Sequence, residues 1–154
     1  MTFPRVALFL LLFLSGQSFA IPVGAEDSVI GKWQFYKVYF QGEYRPPFSE
    51  ELQLFFEFTE EGKSRLYYFR KNESGFCERE GKYTVDGEFL IDEVTWVNPQ
   101  NNIGCGQDPD MQKGQKTTTK IAFENGDFYL YLNLKGEPLV YIWRRLGEEE
   151  QNIF

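Results

Sequence analysis

Apolar and polar side chains alternate along much of this chain. Leu52, Leu54, Phe56 and Phe58 alternate with Glu51, Gln53, Phe55 and Glu57, which predicts a strand with one face buried. Ser49-Glu50-Glu51 leaves a short capped helix as an alternative start to that element. Residues 30–40 are β-branched and aromatic with little helical spacing, and 65–70 (RLYYFR) return as a strand after the Glu60-Glu61-Gly62-Lys63 turn. Residues 71–75 form a polar loop. Two hairpins follow: 82–85 with 88–97 around Asp86-Gly87, and 117–123 with 128–134 around Asn125-Gly126. Such dipeptides supply the positive φ angles of a tight turn. Lys135-Gly136-Glu137-Pro138 turns the chain again, and 139–145 make the last strand.

About eight short strands joined mostly by tight turns predict an all-β fold, an antiparallel up-and-down barrel of about eight strands. The turns leave no room for crossover helices, which excludes a parallel α/β sheet. One long connection, 98–116, is rich in Asn, Gln, Gly and Asp and carries Cys105 at its middle. It reads as a flap. The expected organisation is a barrel over 29–146, preceded by a linker at 21–28 and followed by a disordered acidic tail at 147–154. An outer-membrane barrel does not fit, because such strands need about 9 to 11 residues and an apolar outer band. Several strands here are shorter, and their outer faces carry Glu, Lys and Gln.

Residues 1–20 have the layout of a secretory signal peptide: Arg5, an apolar run from 6 to 14, and Ser18-Phe19-Ala20 at a small-x-small cleavage site. Val23-Gly24-Ala25 offers a second site. Removing 20 of the 154 residues leaves one domain's worth of chain, expected to be secreted or periplasmic. The net charge of −7 becomes one unit more negative once Arg5 leaves. With no basic cluster, nucleic acid is a poor partner. Cys77 and Cys105 lie 28 positions apart and in an exported chain point to a disulfide. A metal site lacks ligands, since there is no His and no Cys-x-x-Cys pair.

Gly31-x-Trp33 on the first strand resembles the signature of the lipocalin and wider calycin group. Gly126-Asp127-Phe128-Tyr129-Leu130-Tyr131 resembles a degenerate form of the lipocalin Thr-Asp-Tyr-x-x-Tyr motif, and the last strand ends Tyr141-Ile142-Trp143-Arg144-Arg145. The resemblance implies a barrel whose floor is closed by Trp33 packed against Arg144 or Arg145, a cation–π contact. Only nine residues follow Arg145, so the C-terminal helix and further strand of lipocalins proper have no room. A compact, bacterial-style lipocalin-like domain is the closer likeness. Parity places Trp33, Phe35 and Tyr39 on one face.

Eight strands leave an interior that side chains just fill or that holds one small ligand. Leu54, Phe56, Phe58, Phe128, Leu130 and Leu132 are expected to face inward. The functional reading is a binding protein for a small hydrophobic molecule such as a fatty acid, with no cofactor. The alternative is a filled barrel acting on a protein partner through the 98–116 flap, with Ile103 and Met111 exposed. Catalysis has thin support. Without His, Ser-His-Asp and Cys-His chemistry are excluded. Adjacent Asp92 and Glu93 point to opposite faces of a strand, and both this pair and Glu78/Glu80 read as solvated charge. Asp108-Pro109-Asp110-Met111-Gln112 starts like a calcium loop but lacks the required Gly and closing Glu. Asn72-Glu73-Ser74 is a glycosylation sequon that matters only in a eukaryotic host.

Overall fold

The computed structural model describes residues 27–147, 149 and 150. The expected signal peptide, most of the expected 21–28 linker and the last residues of the expected acidic tail lie outside them. Nine strands are present among the described residues: β1 (Gly31–Phe40), β2 (Glu43–Arg45), β3 (Leu52–Phe58), β4 (Lys63–Arg70), β5 (Cys77–Asp86), β6 (Phe89–Val97), β7 (Lys116–Glu124), β8 (Asp127–Leu134) and β9 (Glu137–Arg145). All neighbours are antiparallel, and β1 pairs with β9 as well as β3, so eight strands close into a barrel. Closure removes the unpaired edges that an open sheet would present.

β2 and the start of β5 were not apparent in the sequence. β2 is a three-residue return on the far end of β1, turned by Gln41 and Gly42 at positive φ. β5 begins at Cys77, five residues before its predicted start, and its first stretch carries both the disulfide and a buried arginine. No helix forms at Ser49-Glu50-Glu51. The β5–β6 hairpin turns on Gly87-Glu88, because Asp86 still pairs with Phe89; only Gly87 of the two takes a positive φ.

Tyr39 departs from the predicted face. A bulge between Phe35 and Lys37 shifts the β1–β9 register and inserts one residue, which flips every side chain beyond it. Val38, not Tyr39, is therefore buried with Trp33 and Phe35, and Tyr39 packs at 5.0 Å on exposed Tyr44.

The strand directions define two ends. One holds the start of β1, the ends of β3, β5, β7 and β9, and a plug of aromatics: Trp33 lies 5.2 Å from Phe128 and 6.1 Å from Phe123, and Phe58 lies 4.9 Å from Tyr83. The other end carries the 71–76 loop and the 98–115 flap. Two short 3-10 turns, Ile103–Gln107 and Pro109–Met111, give the flap structure, and Met111 is buried in the core. The expected exposure of Met111 is thus not met, whereas Ile103 is 96% exposed.

A disulfide joins Cys77 on β5 to Cys105 in the flap. Cross-linking residues separated by 28 positions stabilises mainly by restricting the unfolded chain, by about 3.5 kcal/mol in the chain-entropy treatment. A Cys77→Ser/Cys105→Ser variant should lose about that much on urea denaturation. A loss below about 1 kcal/mol would mean the flap is held without it.

Candidate functional site

The Gly31-x-Trp33 signature is explained at the closed end. Trp33 is fully buried and donates its indole N–H to Val29 O at 2.6 Å. The Arg145 guanidinium carbon sits 4.2 Å from the Trp33 ring centre, while its nitrogens donate to the carbonyls of Ile30 and Ser28. Gly31, at φ +129°, leaves space for this, since a Cβ there would lie 2.5 Å from Arg145 Nη1. Of the two arginines, Arg145 therefore makes the closing pair. Arg144 faces outward, donating to Gln34 Oε1.

Above this floor lies a cavity of about 400 Å³, within the size range of small-molecule sites. Of the residues expected to face inward, Leu54, Phe56, Leu130 and Leu132 line it. Phe58 and Phe128 do not. They are 1% and 0% exposed in the aromatic plug beneath, so their size fills the floor. Leu52, Leu66, Leu90, Tyr141 and Trp143 complete the apolar wall. The cavity reaches the rim at exposed Arg70 and Leu132.

A polar cluster is built into the wall. Arg79 on β5 and Asp92 on β6 pair at 2.6 Å, each side chain 5% exposed. Ser64 on β4 donates to Asp92 Oδ1 at 2.5 Å and accepts from Arg79 Nη1 at 3.1 Å. The guanidinium also lies 5.1 Å from the Phe56 ring centre. Gly81 faces the cluster, where a Cβ would meet Ser64 Oγ at 2.6 Å and Glu93 O at 2.7 Å. Asp92 is thus a buried, paired charge, which corrects the expectation of solvated acids. Glu93 points outward to Lys82 at 3.4 Å. Glu78 is also engaged, with Arg65 at 2.5 Å and Asn98 at 2.6 Å, while Glu80 is exposed.

The flap contributes two acids to the same cavity. Asp108 accepts from the Tyr68 hydroxyl at 2.9 Å and caps the second 3-10 turn through Asp110 N at 3.0 Å. That cap is the role of the calcium-like stretch. Burial and then neighbouring Asp108 push the Asp110 carboxyl above its usual range. Tyr68 is pushed up by burial and then by Asp108, and Tyr141 by burial and then by Asp110, since a nearby negative charge opposes ionisation.

Closed, antiparallel and cupped over an aromatic floor, this is a lipocalin-like barrel. Among solved structures it is similar to a lipocalin-like protein from Bacteroides uniformis, with 21% identity and a TM-score of 0.50 over 76% of this chain and 97% of that one. An uncharacterized protein from Bacteroides eggerthii is 17% identical with a TM-score of 0.47, over 77% of this chain and 100% of that one. No family model and no curated protein matches the chain.

Proposed function

We propose that this barrel binds one small hydrophobic molecule outside the cytosol. The observation that carries the reading is the cavity of about 400 Å³ above a fully packed floor. The disulfide and the signal-like leader support an oxidising, exported setting, and no helix among the described residues is long and apolar enough to cross a membrane. We read the role as that of a carrier, with Asp92 in the strand wall held as a buried ion pair by Arg79 and Ser64. Exposed Ile103 on the flap favours a second reading, contact with a protein partner.

Titration with the uncharged fluorescent probe N-phenyl-1-naphthylamine tests the first reading. Fluorescence should rise and saturate at one probe per chain. Leu130→Trp, which puts a large ring into the empty space, should abolish the rise while the melting temperature stays within a few degrees. An undiminished rise in that variant would place the probe elsewhere and overturn the reading.

A further inference from the structure

Two buried donors, Arg79 Nε and Trp143 Nε1, have no hydrogen-bond partner among the described residues. Both residues line the cavity, and they are 4% and 2% exposed. The rest of the Arg79 guanidinium is engaged, Nη1 with Ser64 at 3.1 Å and Nη2 with Asp92 at 2.6 Å. Both side chains lie against one ring: the guanidinium carbon is 5.1 Å and the Trp143 ring 5.8 Å from the Phe56 ring centre. Buried donors are ordinarily satisfied, so this part of the wall is incomplete without an occupant.

Two unmet N–H groups call for an acceptor. A plain hydrocarbon would strip both of water and offer nothing in return. The charge of the acceptor follows from Asp92, which already neutralises Arg79. A carboxylate set beside that pair would be an unpaired buried charge, which is costly, whereas an uncharged oxygen is not. A carbonyl oxygen has two lone pairs and no hydrogen of its own to place, while a hydroxyl brings an O–H that needs a further acceptor. We propose that the cavity takes a hydrophobic carbonyl compound, a ketone, aldehyde or ester, its oxygen beside Phe56 accepting from Arg79 Nε and Trp143 Nε1 and its apolar body among Leu54, Leu66, Leu90 and Leu130. This assignment rests on the ligand-binding reading above and names the class of ligand.

Displacement of N-phenyl-1-naphthylamine by 2-acetylnaphthalene, 2-ethylnaphthalene and 2-naphthoate at pH 7 tests it, because the three share one ring system and differ in the acceptor. The ketone should displace the probe at a concentration about tenfold below that of the hydrocarbon, which leaves both donors unmet. The carboxylate should be the weakest. Proton NMR of the unaltered protein gives a second readout. The Trp143 indole proton should lie further downfield with the ketone than with the hydrocarbon, whose matching rings cancel ring-current effects. The Trp33 indole proton, already bonded to Val29 O, should be alike in both. Trp143→Phe removes one donor and should narrow the ketone's advantage to about threefold. A carboxylate equal to or better than the ketone would overturn the uncharged-carbonyl assignment while leaving the binding barrel intact. So would a ketone and hydrocarbon of equal strength with the Trp143 proton alike in both, or an advantage undiminished in a folded Trp143→Phe protein. A probe that never binds would overturn this assignment and the binding reading together.

Discussion

Asp92→Ala should be among the most damaging single substitutions in this chain, lowering unfolding free energy by about 3–5 kcal/mol. Asp92 and Arg79 are each almost wholly removed from water and meet at 2.6 Å. Deleting one partner leaves an uncompensated charge in a low-dielectric wall, and Ser64 alone offers it only a neutral hydroxyl. The damage comes from the orphaned guanidinium rather than from any large net gain in the pair, since desolvation offsets much of the Coulomb attraction. Replacing both residues, as Arg79→Met/Asp92→Leu, should therefore recover most of the lost stability. Guanidinium denaturation of the three proteins checks this. A double variant no better than Asp92→Ala would show that the pair itself, and not the stranded charge, stabilises the wall.

Trp33→Ala should cost a similar amount, about 3–5 kcal/mol, from the cavity that a deleted core aromatic leaves. The ring is 0% exposed and packs on Phe128 and Phe123. Its loss also removes the surface under Arg145, whose nitrogens reach back to the carbonyls of Ile30 and Ser28. Trp33→Phe keeps most of the volume but not the indole N–H bonded to Val29 O, and should cost about 1–2 kcal/mol, near the value of a buried hydrogen bond plus a modest void. Thermal unfolding should rank the proteins wild type, Trp33→Phe, Trp33→Ala. Equal melting temperatures for Trp33→Ala and wild type would show that this end does not close the barrel.

The barrel was legible because its strands show β-branched, aromatic or alternating runs and several turns contain Asn-Gly, Asp-Gly or Lys-Gly. Where the signal failed, a local irregularity was responsible. The bulge at Phe35/Lys37 breaks period-2 parity without any glycine to announce it, and so Tyr39 was assigned to the wrong face. Polar groups of the cavity were missed for a different reason. Arg79 alternates with buried Cys77 and Gly81, and Asp92 with buried Leu90 and Val94. Inward parity therefore marked both, but charges are ordinarily exposed, and the residues are offset along their strands, Asp92 opposite Tyr83 and Arg79 opposite Val97. Only the reach of the arginine side chain joins them. Asp108 and Asp110 come from an irregular flap, where no periodicity says which way a side chain faces. Phe58 and Phe128 had the right parity, yet parity says nothing about depth along the barrel axis.

Methyl-labelled NMR tests the central claim, a ligand inside the barrel, most directly. With N-phenyl-1-naphthylamine bound, nuclear Overhauser contacts should connect its rings to the methyls of Leu54, Leu66, Leu90 and Leu130, which line the cavity. The methyls of Ile103, exposed on the flap, should show none. Contacts confined to Ile103, with the four leucines silent, would contradict the binding barrel and leave the flap as the working surface.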